Sequence, residues 1–259
     1  MIRFSVITIT YNAGAVLGRT IESVAAQDYA NVKHIIVDGA STDGTLALAK
    51  AYMERTNDAD GHEVKLVSER DRGIYDAMNK GLRLASGDYV VFMNAGDTFH
   101  SSDTLTEVAN VAMAGADGGL AAVLYGDTDI VDGEGKFLCH RRLTPPDRLS
   151  WRSFIHGMLV CHQSFYARTD LAKRTPFDLQ YRYSADVDWC IRIMREASRL
   201  RLPLLRVPKV VSDYMQEGQT TLHHSESLRE RFRVMARHYG FLPTSMMHLW
   251  FVVRSLIKR

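Results

Sequence analysis

The sequence has few cysteines, no long uncharged apolar run and no large excess of charge of one sign. Its three cysteines among 259 residues show no C-x-x-C spacing, which argues against a disulfide framework or a cysteine zinc site and fits a reducing cytoplasm. The formal net charge of +2 argues against a nucleic-acid-binding protein with one dominant basic face. No stretch approaches about 18 uncharged apolar residues, so the sequence predicts no transmembrane helix.

Three common catalytic or nucleotide-binding motifs are also absent. The first apolar segment is not followed by G-x-G-x-x-G, and the chain contains neither G-x-x-x-x-G-K-[ST] nor G-x-S-x-G. These absences argue against dinucleotide-dependent dehydrogenases, P-loop NTPases and serine hydrolases of the nucleophile-elbow type.

Apolar segments alternate with helical patterns along the first part of the chain. Strand patterns cover 2–10, 34–37, 64–67 and 89–93, and helical patterns lie between them, the last over 74–84. This alternation predicts a parallel sheet with crossover helices. Later segments predict strands at 121–126, 163–166, 204–207 and 210–214, a hairpin turn at 132–135, and helices at 186–197, 224–239 and 244–257. We expect one compact α/β unit with a helical tail.

Polar side chains follow four of the predicted strands. They are Tyr11, Asp38, Asp71 and the pair Asn94 and Asp97. Turn chemistry explains any one of them, but ligands of open parallel sheets bind at the carboxyl ends of the strands. A carboxylate there can accept hydrogen bonds from a base or a ribose, and one carboxylate beside a diphosphate suits Mg²⁺. The pattern therefore favours a nucleotide site.

Four segments together resemble the family 2 glycosyltransferases, in particular the bacterial branch that builds exopolysaccharide, O-antigen and colanic-acid-type glycans. They are SVITITYNAG, IIVDGASTDGT, SERDRGIYDAMNKGL and ASGDYVVFMNAGDTF. The resemblance continues more weakly through YGDTDI, HQSFYAR and YSADVDWCIRI to about residue 195. It implies a GT-A fold, with a Rossmann-like, mostly parallel central sheet, flanking helices and a helical C-terminal tail. It also implies a nucleotide-sugar donor, a divalent metal (Mg²⁺ or Mn²⁺) and inversion at the anomeric carbon.

The resemblance assigns roles to individual residues. It places Tyr11, Asp38, Asp71, Arg72 and Asn94 at the nucleotide, and Asp97 at the metal and diphosphate. The family commonly reads Asp-x-Asp-Asp at the end of the fourth strand, where this chain reads Asn94-Ala95-Gly96-Asp97. Only one of the three acids is left, so strict metal dependence is a weaker expectation than for the family at large.

The general base is expected at the start of a later helix. By position, Asp186 matches the family base, although Ala185 replaces the glutamate that usually precedes it, and Asp188 is the runner-up. Both acids also suit a helix N-terminus without any catalytic role. We expect His162 and Gln163, together with Asp188, to contact the acceptor or the donor sugar. Asp127 and Asp129 are interpreted as turn residues after a strand or, from the resemblance, as neighbours of the acceptor.

The last segment of the chain is apolar with interspersed basic residues. Residues 241–259 predict either an interfacial helix on an anionic membrane or a helix packed on the domain. If the acceptor is linked to a lipid, the first alternative, a helix on the membrane surface, is favoured. Preceding this segment, His223 and His224 are candidates for a lid that closes over the diphosphate.

The sequence predicts three functional parts of the chain. Residues 1–100 form a nucleotide-sugar-binding half, 101–221 an acceptor-binding and catalytic half of the same domain, and 222–259 the tail. The prediction is an inverting glycosyltransferase that uses a UDP- or GDP-sugar and a glycan or lipid-linked acceptor at the inner face of the cytoplasmic membrane. The alternatives are a degenerate nucleotide-sugar-binding protein and, with less support, a sugar nucleotidyltransferase, whose basic Gly-rich loop after the first strand is missing.

Overall fold

A computed structural model describes residues 1–57, 62–115, 119–216 and 224–257 of the chain. The strands are β1 Phe4–Thr10, β2 Val32–Asp38, β3 Glu63–Ser68, β4 Tyr89–Phe92, β5 Thr98–Phe99, β6 Val123–Val131, β7 Phe137–His140, β8 Phe165–Arg168 and β9 Leu204–Met215. The helices are α1 Gly14–Ala25, α2 Thr45–Asn57, α3 Ile74–Leu84, α4 Thr104–Ala114, α5 Thr169–Arg174, α6 Ala185–Arg199, α7 His224–Tyr239 and α8 Phe241–Ile257. Two 3-10 helices cover Trp151–His156 and His162–Ser164.

The strands join into one sheet in the order β3-β2-β1-β4-β8-β6-β9-β5, with β7 beside β6. The first four strands are parallel, β9 runs parallel to β6, and the remaining pairs are antiparallel. Every residue of β1 is buried, as expected for a strand covered by helices on both faces. The predicted mostly parallel α/β sheet with flanking helices is confirmed.

The register of the parallel strands brings their carboxyl ends to one edge. Thr10 pairs with Asp38, and Asp38 pairs with Ser68. The loops that follow β1, β2, β3 and β4 therefore open on the same side of the sheet. This edge carries most of the predicted site residues.

The second half of the sheet departs from the predicted pattern. The strands predicted at 204–207 and 210–214 form one strand, β9, in which Pro208 lies at an irregularity opposite β6. A bulge accommodates proline because the residue there does not need to donate a ladder hydrogen bond. The strand predicted at 163–166 begins later, at Phe165, because residues 162–164 form a 3-10 turn.

A stack of aromatic rings joins the sheet to α6. Trp189 stacks on Phe177 at 4.9 Å between ring centroids and meets Phe92 and Phe165 edge-on. This core anchors α6, whose N-terminus faces the carboxyl edge of the sheet. No helix in the described part of the chain is long and apolar enough to cross a membrane.

Candidate active site

The ends of β1, β2 and the loop after β3 meet at Gly39. A Cβ at this position would stand 2.7 Å from Asp71 Oδ2 and 3.2 Å from Tyr11 Cδ2, so any larger residue would push these side chains apart. The backbone amide of Gly73 donates to Asp71 Oδ1 at 2.9 Å, and the Tyr11 ring is 64% exposed. Tyr11 and Asp71 thus line an open surface beside β2.

Two of the predicted nucleotide residues differ in accessibility. Asp38 is fully buried, and its carboxylate accepts hydrogen bonds from the amide and hydroxyl of Ser41 and, at 2.6 Å, from the hydroxyl of Ser68. A base or ribose donor must therefore replace a serine hydroxyl or share a carboxylate oxygen with it. Arg72 is 79% exposed and pairs with Asp76 at 3.6 Å. The serine partners are not evident from the sequence motif.

The end of β4 is tied to the 3-10 turn at residues 162–164. Asn94 Nδ2 lies 3.0 Å from His162 Nε2, while its Oδ1 is buried and has no hydrogen-bond partner among the described residues. A buried amide oxygen without a partner is costly unless a ligand completes it. Asn94 therefore offers one free oxygen ligand at the sheet edge.

Asp97 is only 5% exposed and is held from two sides. Gln163 Nε2 donates to Oδ2 at 2.7 Å, and the backbone amide of Met215 donates to Oδ1 at 3.0 Å. Burial raises the pKa of Asp97 to about 6, although both hydrogen bonds work in the opposite direction. Gln163 itself is 1% exposed, so its amide serves Asp97 and does not face an open sugar site, in contrast to the sequence-based prediction.

Asp186 lies in the first turn of α6 and contacts one side chain of α3 and one of the 3-10 turn at residues 162–164. Its Oδ1 accepts a hydrogen bond from the Tyr75 hydroxyl at 3.1 Å, and its Oδ2 lies 3.4 Å from His162 Nδ1. Burial raises its pKa, but the hydrogen bond and charge of His162, with the charge of Arg231, outweigh burial and keep the pKa below its ordinary value. The Asp186 carboxylate is therefore ionised at neutral pH and can accept a proton.

The neighbouring acid has a different environment. Asp188 is fully buried, Arg192 Nε donates to its Oδ2 at 2.6 Å, and His238 Nε2 lies 2.7 Å from its Oδ1. The Arg192 contact lies within α6, the His238 contact joins α6 to α7, and together they leave no accessible oxygen for a sugar. Asp188 is therefore a buried ion-pair residue, in contrast to the prediction that it contacts a sugar or acts as the base.

The backbone of the loop before α6 is held by a residue that no sequence motif identifies. Glu230 in α7 accepts hydrogen bonds from three consecutive backbone amides, of Arg182 at 2.8 Å and of Tyr183 and Ser184 at 2.6 Å. Glu230 is buried, so these bonds are shielded from water. The tail helix thereby fixes the start of α6 and, with it, Asp186. No short-range pattern predicts this contact across 46 to 48 residues.

The residues at the end of β4 fit an oxygen-bound divalent metal. The Asp97 carboxylate, which keeps unused lone pairs, is a hard ligand of the kind that Mg²⁺ and Mn²⁺ accept. The unpartnered Asn94 Oδ1 can accept a hydrogen bond from a ligand at the same strand end. A single protein carboxylate leaves room for phosphate oxygens and water. The predicted lid residue His223 lies outside the described residues.

Comparison with known proteins places the chain in a family. The model of "Glycosyl transferase family 2" matches residues 5–174. A "PGL/p-HBAD biosynthesis glycosyltransferase" of Mycobacterium bovis (strain BCG / Pasteur 1173P2) is 34% identical over 190 residues, which cover 73% of this chain and 68% of the relative. The "Amylovoran biosynthesis glycosyltransferase AmsB" of Erwinia amylovora is 28% identical over 235 residues, covering 88% of this chain and 75% of the relative.

Solved structures of glycosyltransferases share the fold at low sequence identity. S. aureus TarS 1–349 aligns with a TM-score of 0.66 and 19% identity over 90% of this chain, which spans 63% of that protein. The mannosyltransferase PcManGT from Pyrobaculum calidifontis, solved with GDP-Man and Mn²⁺, aligns with a TM-score of 0.66 and 19% identity, covering 96% of this chain and 70% of that one. The family match, the 34% identical relative and the shared fold agree, and the chain belongs to glycosyl transferase family 2, a family of sugar-transferring enzymes.

Proposed function

We propose that this protein is an inverting glycosyltransferase that moves a sugar from a UDP- or GDP-sugar to a hydroxyl of a glycan or lipid-linked acceptor in bacterial surface polysaccharide synthesis. The observation that carries the proposal is the ionised Asp186 carboxylate, which lies beside His162 near the sheet edge that holds Asn94. A relative named for amylovoran biosynthesis and fold neighbours bound to UDP-GlcNAc or GDP-Man support this choice of substrates.

The donor nucleotide would lie across the ends of β1, β2 and β3. The exposed Tyr11 ring would stack against the base, and the carboxylates of Asp38 and Asp71 would accept hydrogen bonds from the base or ribose. Arg72, which is exposed, can turn toward the nucleotide, and Asn94 would face the ribose. The contact distances at Gly39 support this assignment because they place the Tyr11 ring and the Asp71 carboxylate beside the same residue.

Asp186 would act as the general base. The acceptor hydroxyl loses its proton to the carboxylate, its oxygen forms the new bond to the anomeric carbon, and the bond to the diphosphate breaks with its electron pair leaving on the diphosphate. Attack from the face opposite the leaving group inverts the configuration. His162 and Tyr75 hold the two carboxylate oxygens in place, so that the base is oriented before the acceptor arrives.

Asp97 would hold the divalent metal beside the diphosphate. When bound, the metal would supply positive charge that neutralises the departing diphosphate. Gln163 and the Met215 amide would then keep the Asp97 carboxylate fixed in orientation, as outer-shell partners do in other metal sites.

The exposed apolar face of α8 favours attachment to a membrane surface. Leu242, Met246, Leu249 and Trp250 are more than half exposed and recur at helical spacing. An interfacial helix with basic neighbours suits a lipid-linked acceptor, because it would hold the active site close to the membrane that carries the substrate. This peripheral contact would lie at the inner face of the cytoplasmic membrane.

The proposal is tested by Asp186→Asn in the full-length protein. Nucleoside diphosphate release from a panel of UDP- and GDP-sugars is measured together with nucleotide binding. We expect turnover to fall by about 10²- to 10⁴-fold, with nucleotide affinity unchanged, because a base acts on the reaction and not on the donor. A wild-type protein that binds nucleotide but releases no diphosphate from any donor would instead support the degenerate binding protein.

A further inference from the structure

A second group of possible metal ligands lies outside the site described above. His100 follows β5, and Asp129 and Asp213 belong to the adjacent strands β6 and β9. One ligand atom from each of the three lies within 4.8 Å of the others, and His100 Nδ1 is 2.8 Å from Asp213 Oδ1. His140 on β7 adds a second imidazole, with Nδ1 2.7 Å from Asp129 Oδ1.

Strand alternation puts this cluster on the opposite face from the proposed catalytic residues. Thr128 and Ser212, each one residue before an acid of the cluster, bond the hydroxyl of Ser164 in the turn region that holds His162 and Gln163. Successive side chains of a strand point to opposite faces. Asp129 and Asp213 therefore face away from Ser164. Asp127 and Asp129 do not follow a strand as expected from the sequence, because β6 continues to Val131.

The two carboxylates of the cluster form a like-charge pair. Asp129 and Asp213 are direct partners in the β6–β9 register, and Asp129 is 4% exposed. Like charges directly opposite each other destabilise a sheet. In the described part of the chain, no lysine or arginine pairs with either acid. An imidazole cancels one such charge only when protonated, whereas a divalent cation cancels both.

We propose that His100, Asp129 and Asp213 form a site for a first-row transition-metal ion of the Zn²⁺ type, with His140 beside it. Mixed imidazole and carboxylate ligands suit Zn²⁺, whereas Mg²⁺ prefers oxygen alone. Neighbouring ligand atoms of a tetrahedral zinc site are about 3.3 Å apart, given bonds of about 2.0 Å. The distance of 2.8 Å between His100 Nδ1 and Asp213 Oδ1 and the limit of 4.8 Å on the other separations lie on either side of this value.

A metal at this place would brace the strands that hold Asp97. It would link the end of β5 to β6 and β9, and Asp97 immediately precedes β5 and bonds the amide of Met215 at the end of β9. The proposal does not depend on glycosyl transfer, since the site would bind metal without nucleotide. Its role would be structural, with metal binding adding to the stability of the fold.

The test uses full-length protein freed of metal and titrated with ZnCl₂ without nucleotide. Binding is measured by equilibrium dialysis, and the melting temperature is recorded in parallel. We expect one zinc ion per wild-type chain and a higher melting temperature. His100→Ala and Asp213→Asn should weaken binding by at least about tenfold, the smallest loss seen even for outer-shell changes. His156→Ala, which removes an exposed histidine elsewhere, should bind as wild type does.

Two results would overturn the proposal. One is a wild-type protein that binds no zinc, and the other is equal binding by wild type and the two cluster variants. Circular dichroism establishes that each variant is folded, and Asp213→Asn preserves the side-chain shape. Adding MgCl₂ in excess should leave the bound zinc in place, and displacement by Mg²⁺ would also contradict an imidazole-containing site.

Discussion

Asp186 Oδ2 lies 3.4 Å from Nδ1 of His162, and Nε2 of the same imidazole lies 3.0 Å from Asn94 Nδ2. One histidine thus connects the proposed base on α6 to the proposed ribose contact at the end of β4. It orients the carboxylate and also lowers its pKa. The sequence predicts His162 as a contact of the acceptor or the donor sugar and does not predict its contact with Asp186.

Replacing His162 by alanine should raise the pKa of Asp186. Burial still favours the neutral carboxyl group in the variant, but the hydrogen bond and charge that counter burial are gone. The acidic limb of the pH profile of kcat should therefore move to higher pH. His156→Ala is the matched control. An unchanged acidic limb in His162→Ala would mean that His162 does not act on the base.

Asp186→Asn and Asp188→Asn should separate a catalytic acid from a structural one. The second change leaves Arg192 and His238 without their buried partner and should lower the free energy of unfolding by about 3 kcal/mol. Asp186→Asn should change stability much less and lower turnover by about 10²- to 10⁴-fold. Urea unfolding and initial rates, measured on both variants, give the comparison. Loss of activity without loss of stability in Asp188→Asn would contradict the structural role.

Glu230→Gln should loosen the start of α6. Glutamine offers one acceptor oxygen where the carboxylate offers two, so at least one of the three backbone amides loses its partner. We expect a loss of about 1–3 kcal/mol in the free energy of unfolding and a lower kcat, because Asp186 is positioned through this loop. Glu22→Gln, at an exposed position on α1, should be close to wild type. Equal effects of both changes would show that the Glu230 contacts are unimportant.

Asp97→Asn should make the stability of the protein less dependent on pH and should weaken its metal-dependent function. The folded-state pKa of about 6 lies above the ordinary value of 3.8, so the carboxyl resists ionisation in the fold. Wild type therefore loses stability as the pH rises through this window, by up to about 3 kcal/mol, and the asparagine variant does not. The free energy of unfolding is measured with urea at pH 4 and pH 7.5. Relative to wild type, the variant should be more stable at pH 7.5 than it is at pH 4. Undiminished Mn²⁺-dependent nucleotide binding in the variant would remove Asp97 from the proposed metal site.

Membrane attachment predicts a specific loss when α8 is made polar. Leu249→Glu with Trp250→Glu removes two exposed apolar side chains and adds charge that anionic lipid repels. We expect binding to vesicles of phosphatidylglycerol and phosphatidylcholine, measured by sedimentation, to fall at least about tenfold. Met113→Glu, at an exposed apolar residue of α4, is the control. Equal sedimentation of the double variant and wild type would exclude α8 as the contact.

The parts of the fold with a regular period were predictable from the sequence. The strand–helix alternation identified the parallel half of the sheet, and the bounds predicted for α3 match those observed at Ile74 and Leu84. Helix α4 was missed, although Leu105, Val108 and Ala112 recur at helical spacing. The continuity of β9 through Pro208 was also missed, because the bulge that accommodates this proline depends on the partner strand.

The polar contacts within the site depend on residues far apart in the sequence. Tyr75 meets Asp186 across 111 positions, and Met215 meets Asp97 across 118. No local pattern predicts such pairs, because they arise from the way the sheet and α6 pack. The same packing buries Asp188 fully while leaving the Asp186 side chain 16% exposed, although the two acids share one helical turn.

The most direct test of a nucleotide-sugar site at this sheet edge is a thermal-shift titration of the full-length protein with UDP, GDP, CDP and dTDP, each with and without Mg²⁺ or Mn²⁺. A ligand at about 100 times its Kd stabilises the native state by about 2.7 kcal/mol, enough to raise the melting temperature by several degrees. The account predicts a metal-dependent rise with one uridine or guanosine diphosphate, and its loss in Asp71→Asn. No rise with any of the four nucleotides would contradict it.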